Sequence, residues 1–509
     1  MSTALAERSA APPVAAPTRS GVPELATGPL LLIATAVTAV LLLASGRYGY
    51  YADELYFLAA GHHLDWGYVD QPPLVPLIAL LADTVFPGSL LALRLLPAVA
   101  AGAGVVVTAL LARELGGDRR AQLLAGGAWA VAGQTLGGGH MLATVSFDPV
   151  LWTVVLWLLV RWVRMRDQGV RQDWPLFAAG ACTALAMQVK LLIPVLWLVL
   201  GVVLLCAGPR SLLRTPLLWA GAAVALLTAA PTLWWQAAHG WPQLAMSEAI
   251  EQESSFGPLL IPSVVLCAGI PGGVLLCLGF WRLLRAPALR PYRFLAWTII
   301  GVTGLVALTE SRPYYLAGFY GLLFAVGAVE FRARWLSARV YGVSALVAVL
   351  ATLPVLPVAL IPRFDLVGTG SVGWPELTAI VERNAREHRA PVITRTTGWR
   401  ARCATTATSR STARAAGSGR SADRRRHPER DLRGIGPRVP PPPLRLRAPS
   451  GHSGHFAADA LRGHPGVGGG GPEAPVGPAV ARPVARRNEA RPDLDHRATG
   501  RGRSPVRVI

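Results

Sequence analysis

Asp53 and Glu54 stand side by side in YYADELYF (50–57), directly after a long apolar run. A positioned carboxylate can take the proton of a hydroxyl nucleophile, and a second can bind or orient the reactants. Consecutive residues on a helix point about 100° apart, so the two cannot enter one pocket in the same way. The structural alternative is a pair of solvated acids at a helix start, where they suit the macrodipole. Asp148, in SFDPVLW, is the third candidate catalytic carboxylate, although Asp148–Pro149 also reads as an N-cap followed by a first-turn proline. A phosphate leaving group needs cationic donors, and two stand out. Lys190 is the single lysine of the chain, and Arg312 is followed at once by Tyr314 and Tyr315. The competing readings are a lysine snorkelling at a helix end and an arginine paired with Glu310. His62, His63, Asp70, Gln71 and His140 are the further groups able to orient an acceptor. His62, His63, Asp70 and His239 could ligate a divalent metal, but their spacing fits no metal motif, so a metal is left open.

The elements that must position these residues are membrane helices. Of the 509 residues, 52% are hydrophobic and 15% charged, against roughly 25% charged in soluble chains. Apolar runs of bilayer-spanning length recur between about 29 and 361. They predict an all-α polytopic membrane protein with about eleven transmembrane helices, at 29–46, 90–112, 121–138, 148–163, 174–189, 191–208, 216–235, 258–281, 294–310, 314–331 and 340–361. The first of these is long for a signal-peptide core and reads as an uncleaved span. A long first outer loop separates spans one and two. In it DELYFLAAGHHL predicts a surface helix with interfacial tyrosines, followed by a proline-broken turn at DQPP.

Arginine placement predicts the orientation. With the N-terminus in the cytoplasm, the inner loops hold sixteen arginines, while the outer turns hold Arg47, Lys190 and Arg312. The same threading collects Asp53, Glu54, Asp70, Asp148, His62, His63 and His140, with the acids Glu248, Glu251, Glu253 and Glu310, near the outer face, which predicts an outward-facing site in the plasma membrane. A polytopic transporter or lipid flippase is the alternative; it would call for polar groups at mid-helix and internal repeats. The net charge of +20 does not indicate nucleic acid, because from Gly398 onward there are 22 arginines, eight acids and no lysine. No cysteine pair has a metal-binding spacing.

In order along the chain, YYADELYF, GYVDQPPLVPLIALL, SFDPVLW, VKLLIPVLWL, WWQAAHGWPQ and SRPYYLAGFY resemble the bacterial GT-C glycosyltransferases. The similarity is to the family-39-like group of protein O-mannosyltransferases and aminoarabinose transferases, over roughly residues 30–360. The resemblance implies a GT-C-like bundle that moves a sugar from a polyprenyl-phosphate donor to an acceptor hydroxyl on the outer face, with inversion. It implies Asp53 as general base, with Glu54 completing the acidic pair and Asp148 as the second-loop aspartate. Lys190, Arg312, Tyr314 and Tyr315 would receive the donor phosphate. The implied partners are the lipid-linked sugar, the bilayer, and an acceptor protein, lipid or polysaccharide. Many relatives carry a lysine before the prolines of the first loop, where this chain has Asp70–Gln71.

The predicted organisation is a disordered cytoplasmic N-terminus (1–28), the GT-C-like transmembrane domain (29–361), the start of an outer C-terminal segment (362–397) and a tail rich in Arg, Gly, Pro and Ala (398–509). The tail lacks apolar periodicity and reads either as a disordered basic segment or as the product of a shifted reading frame in a GC-rich gene.

Overall fold

A computed structural model of the chain describes residues 22–245, 256–331, 336–360 and 368–387. The 398–509 tail, most of the predicted N-terminal segment and Glu248, Glu251 and Glu253 lie outside them. The described residues form helices and turns with no strand among them. They divide into a membrane unit reaching Trp374 and a second unit represented by residues 375–387.

Helix α1 (Thr27–Ala44) buries one stripe, Leu30, Ala34, Val37, Leu41 and Ala44, and leaves Leu32 and Leu43 exposed. Spacings of three and four residues put one face on the bundle and the other in the bilayer. The long helices α4 (Leu90–Glu114), α7 (Thr144–Asp167) and α10 (Pro216–Ala238) repeat this division. Between them run α5 (Arg119–Ala130), α6 (Gly133–Gly139), α8 (Trp174–Val189) and α9 (Ile193–Cys206). The C-terminal half of the unit holds α11 (Leu260–Cys267), α12 (Gly269–Arg285), α13 (Arg293–Leu308), α14 (Tyr320–Glu330) and α15 (Ala338–Thr352). The core forms where α4 packs on α1, α5 and α7, α8 on α7 and α10, and α14 on α12.

The predicted spans correspond to helices, but several are broken. Among the described residues, five helical segments are long and apolar enough to cross a bilayer unaided, or six if one bent pair counts as a span. That pair is α11 and α12, which meet at 115°. The break falls at Gly269, whose φ of +74° suits glycine. A Cβ there would also lie 2.8 Å from Ser344 Oγ, which accepts the Ile270 N–H at 3.2 Å. The predicted 121–138 span is likewise split into α5 and α6.

The long first loop holds two helices, α2 (Ala52–Gly61) and α3 (Leu74–Val85). The sequence predicted α2 but treated the residues after DQPP as loop; the apolar stripe Val75, Ala79 packs on α2. The loop is pinned at both ends. Arg47 donates to the Pro354 carbonyl at 3.4 Å and the Tyr48 hydroxyl to that of Leu356. At the far side Trp235, Gln236 and Thr232 of α10 donate to Asp65, the Tyr68 carbonyl and the Trp66 carbonyl, at 2.7, 2.7 and 2.8 Å.

In the second unit, α16 (Trp374–Glu387) carries Glu376 in its first turn and an Arg386–Glu382 pair at 3.5 Å.

Candidate active site

The two acids of α2 are separated by burial. Glu54 is fully buried. Its Oε2 accepts the Tyr51 N–H at 2.8 Å, the reaching-back half of a capping box. Its two oxygens receive Arg94 Nε and Nη2 at 2.8 and 2.7 Å, a bidentate pair, and Oε1 also accepts the Leu142 N–H at 3.0 Å. Arg94, itself 1% exposed, goes on to the Ser45 carbonyl at 2.5 Å, the Gly49 carbonyl at 2.8 Å and His140 Nε2 at 3.3 Å. One ion pair therefore ties the end of α1, the first turn of α2, the start of α4 and the loop that leads into α7.

Asp53 points the other way. Its side chain is solvent-accessible, yet the protein around it desolvates the carboxylate and raises its pKa, the combination a recess produces. The Arg312 guanidinium opposes this rise, while Asp70 and Glu54 add to it. Asp70 accepts the Tyr56 hydroxyl at 2.5 Å, and burial raises its carboxyl too.

Asp148 lies in the second turn of α7. The helix begins at Thr144, so Asp148 is not its N-cap; Ser146 Oγ accepts the Ala143 N–H at 3.2 Å instead. Trp152 Nε1 donates to Asp148 at 3.1 Å, and the Trp152 ring meets Phe319 edge-on at 5.5 Å. That contact brings α7 against the 3₁₀ turn Pro313–Phe319. Lys190, at the C-cap of α8, sets its Nζ over the Tyr315 ring at 3.8 Å and the Tyr314 ring at 5.0 Å. It interacts electrostatically with both Asp148 and Arg312, and Tyr314 with both Arg312 and Asp53.

Asp53, Asp70, Asp148, Lys190, Arg312, Tyr314 and Tyr315 thus share one end of the bundle, contributed by α2, its following loop, α7, α8 and the 3₁₀ turn. Chemically this sets carboxylates beside cationic and aromatic side chains. The structure does not bring His62 and His63 into it. They are exposed at the opposite end of α2, about 13 Å along the axis, and His62 pairs with Asp83 at 3.2 Å. His140 is buried on Arg94, where desolvation and the guanidinium lower its pKa to about 3, so it is neutral. Gln71 is 3% exposed and lies beside Tyr56. Among the described residues, no group of three or more His, Cys, Asp or Glu is placed to hold a metal.

Two contributors escaped the sequence reading. Arg94 is a charge inside an apolar run, and that cost is itself a signal of a buried partner. The segment 368–371 lies against Tyr51, and a Cβ at Gly370 would overlap its ring; nothing in the local sequence marks that contact.

Residues 70–235 match the family model of the dolichyl-phosphate-mannose-protein mannosyltransferases. ArnT from Cupriavidus metallidurans in the apo state is similar in structure, with 16% identity and a TM-score of 0.52, over 74% of this chain and 85% of that one. The same protein bound to undecaprenyl phosphate gives 20% identity and a TM-score of 0.47, over 74% and 75%. The archaeal oligosaccharyltransferase AglB from Archaeoglobus fulgidus, in complex with an inhibitory peptide and a dolichol-phosphate, gives 14% and 0.40, over 72% and 60%. No curated protein matches the chain in sequence. The family match lies inside the membrane part, and the bundle around it has a fold similar to that of ArnT.

Proposed function

We propose that the enzyme transfers a sugar from a polyprenyl-phosphate donor to an acceptor hydroxyl, with inversion, on the outer face of the membrane. The observation that supports this reading is an exposed Asp53 carboxylate, electrostatically coupled to Arg312, at the end of the bundle where Lys190 Nζ stands over the Tyr315 and Tyr314 rings at 3.8 and 5.0 Å. In the reaction Asp53 removes the acceptor O–H proton as the oxygen attacks the anomeric carbon. The bond from that carbon to the phosphate oxygen breaks, and the phosphate departs with the electron pair. Arg312 and Lys190 stabilise the charge it gains, and Tyr314 and Tyr315 hold the lysine. The Asp148 carboxylate favours the charged form of Lys190 electrostatically. The Glu54–Arg94 pair fixes the first turn of α2, and with it the Asp53 carboxylate.

A lipid phosphate is favoured as donor by the family match, whose description names a dolichyl-phosphate sugar, and by the flanking helices, which are apolar enough to receive an isoprenoid from the bilayer. The outer face is favoured because the site lies at the end of the bundle opposite the arginine cluster. The candidate catalytic groups lie together at one end of the bundle, which speaks against a transporter or flippase. The test is to supply labelled polyprenyl-phosphate sugars and labelled nucleotide sugars to membranes containing the intact chain. The expected result is label passing from the lipid donor to a protein, lipid or polysaccharide fraction. Transfer from nucleotide sugars alone, or movement of the intact donor across the bilayer without transfer, overturns the proposal.

A further inference from the structure

A second concave feature sits away from the site, along α5. It is a slot of about 780 Å³ between α1, α5 and α15, within the range of ~300–1,000 Å³ usual for small-molecule pockets. Its walls are apolar: Ile33, Leu123, Gly127, Ala130 and Tyr341. Tyr341 spends its hydroxyl on the Leu124 carbonyl at 2.8 Å, so the ring alone faces the slot's volume as an apolar wall. The rim is charged. Arg119 and Arg120, both exposed, open α5 at the arginine-rich end of the bundle, and Arg120 Nη1 also donates to the Phe331 carbonyl at 3.4 Å. Asp118, also on the rim, accepts the Ala121 N–H at 2.8 Å and offsets one of the two positive charges. The lining residues follow α5 from Arg119 to Val131, a rise of about 18 Å. One leaflet's share of the hydrocarbon core is about 15 Å. A slot with two arginines at one end and a single leaflet's depth of apolar wall has the dimensions and charge order of a phospholipid.

We propose that this slot binds an anionic phospholipid of the leaflet at the arginine-rich end, with an acyl chain along α5 and the headgroup phosphate on Arg119 and Arg120. Each arginine near a membrane surface is worth about a factor of five toward an anionic lipid, and with Asp118 offsetting one of the two the net preference is about fivefold.

The test uses the full chain, purified in detergent and titrated separately with phosphatidylglycerol and phosphatidylcholine, with retained lipid read by native mass spectrometry. Phosphatidylglycerol is expected to bind at one copy per chain and about fivefold more tightly than phosphatidylcholine. The double variant Arg119→Gln/Arg120→Gln should erase that preference. Leu123→Trp, which fills the slot and leaves both arginines, should displace the lipid while transferase activity and melting temperature hold. Equal retention of the two lipids, retention of phosphatidylglycerol by Leu123→Trp, or a lipid-free dimer joined through this face each overturns the proposal.

Discussion

At the residue scale, the adjacent acids of YYADELYF divide the labour that either could have done. Glu54 is consumed by Arg94 and by two backbone N–H groups, which leaves Asp53 as the carboxylate open to a substrate. Because desolvation by the surrounding protein raises the Asp53 carboxyl, the acid limb of kcat/KM should fall above the ordinary aspartate range, with activity lost as pH drops through it. The linkage sign runs against stability. A raised folded-state pKa means the folded protein holds the proton more tightly than the unfolded chain, so stability falls as pH rises from the unfolded value through the folded one. Asp53→Asn should therefore melt no lower than the parent at neutral pH, as a thermal-shift titration would read. Arg94→Met should do the opposite. It strands a buried carboxylate, at a cost of about 3–5 kcal/mol, and the double variant Glu54→Gln/Arg94→Met should recover part of the loss in a double-mutant cycle. Lys190→Met should raise the KM for the lipid donor by roughly 10- to 100-fold with little change in melting. In the sequence, Asp53, Asp148 and Lys190 stand out because polar groups are scarce in an apolar chain. The Glu54–Arg94 pairing does not, since its partners are forty residues apart and no local pattern joins them.

At the element scale, the helices were legible and their interruptions were not. Hydropathy reports how far an apolar run extends, and α1, α4, α7 and α10 follow it closely. It is blind to a backbone break inside such a run, so α5/α6 and α11/α12 read as single spans. Gly269 shows the physical reason: the break rests on one positive φ and on the approach of Ser344. Gly269→Ala should cost about 1–2 kcal/mol from φ alone, more from the crowded Ser344 hydroxyl, and should appear as a lower melting temperature in detergent. Helix α3 escaped for a related reason. It is amphipathic and too short to span, and the two prolines before it suggest a turn where they in fact precede a helix start.

At the scale of the whole molecule, helix direction sorts the charge. Helix α4 enters with Arg94 at the site and leaves with Glu114 beneath Arg161 and Arg164, at 3.1 and 2.5 Å. Helix α7 runs the same way, and the rise from Asp148 to Arg164 is about 24 Å, most of a bilayer core. The arginine-rich end and the candidate site therefore occupy opposite ends of one bundle, an arrangement that loop arginine counts foreshadowed because orientation depends on loop charge and not on packing. On a background lacking the native cysteines, His63→Cys should react with an impermeant thiol reagent added outside intact cells, and Arg119→Cys only after the membrane is opened. The reverse pattern would invert the proposed orientation.

The central claim is that Asp53 acts on the proton of the acceptor and not on the binding of the donor. Donor binding and sugar transfer should be measured on the same preparation of the full chain carrying Asp53→Asn, in lipid nanodiscs with a polyprenyl-phosphate sugar. The account predicts unchanged donor affinity with transfer reduced by about 10²- to 10⁴-fold. Transfer at the parent rate, or loss of donor binding in step with loss of transfer, would contradict it.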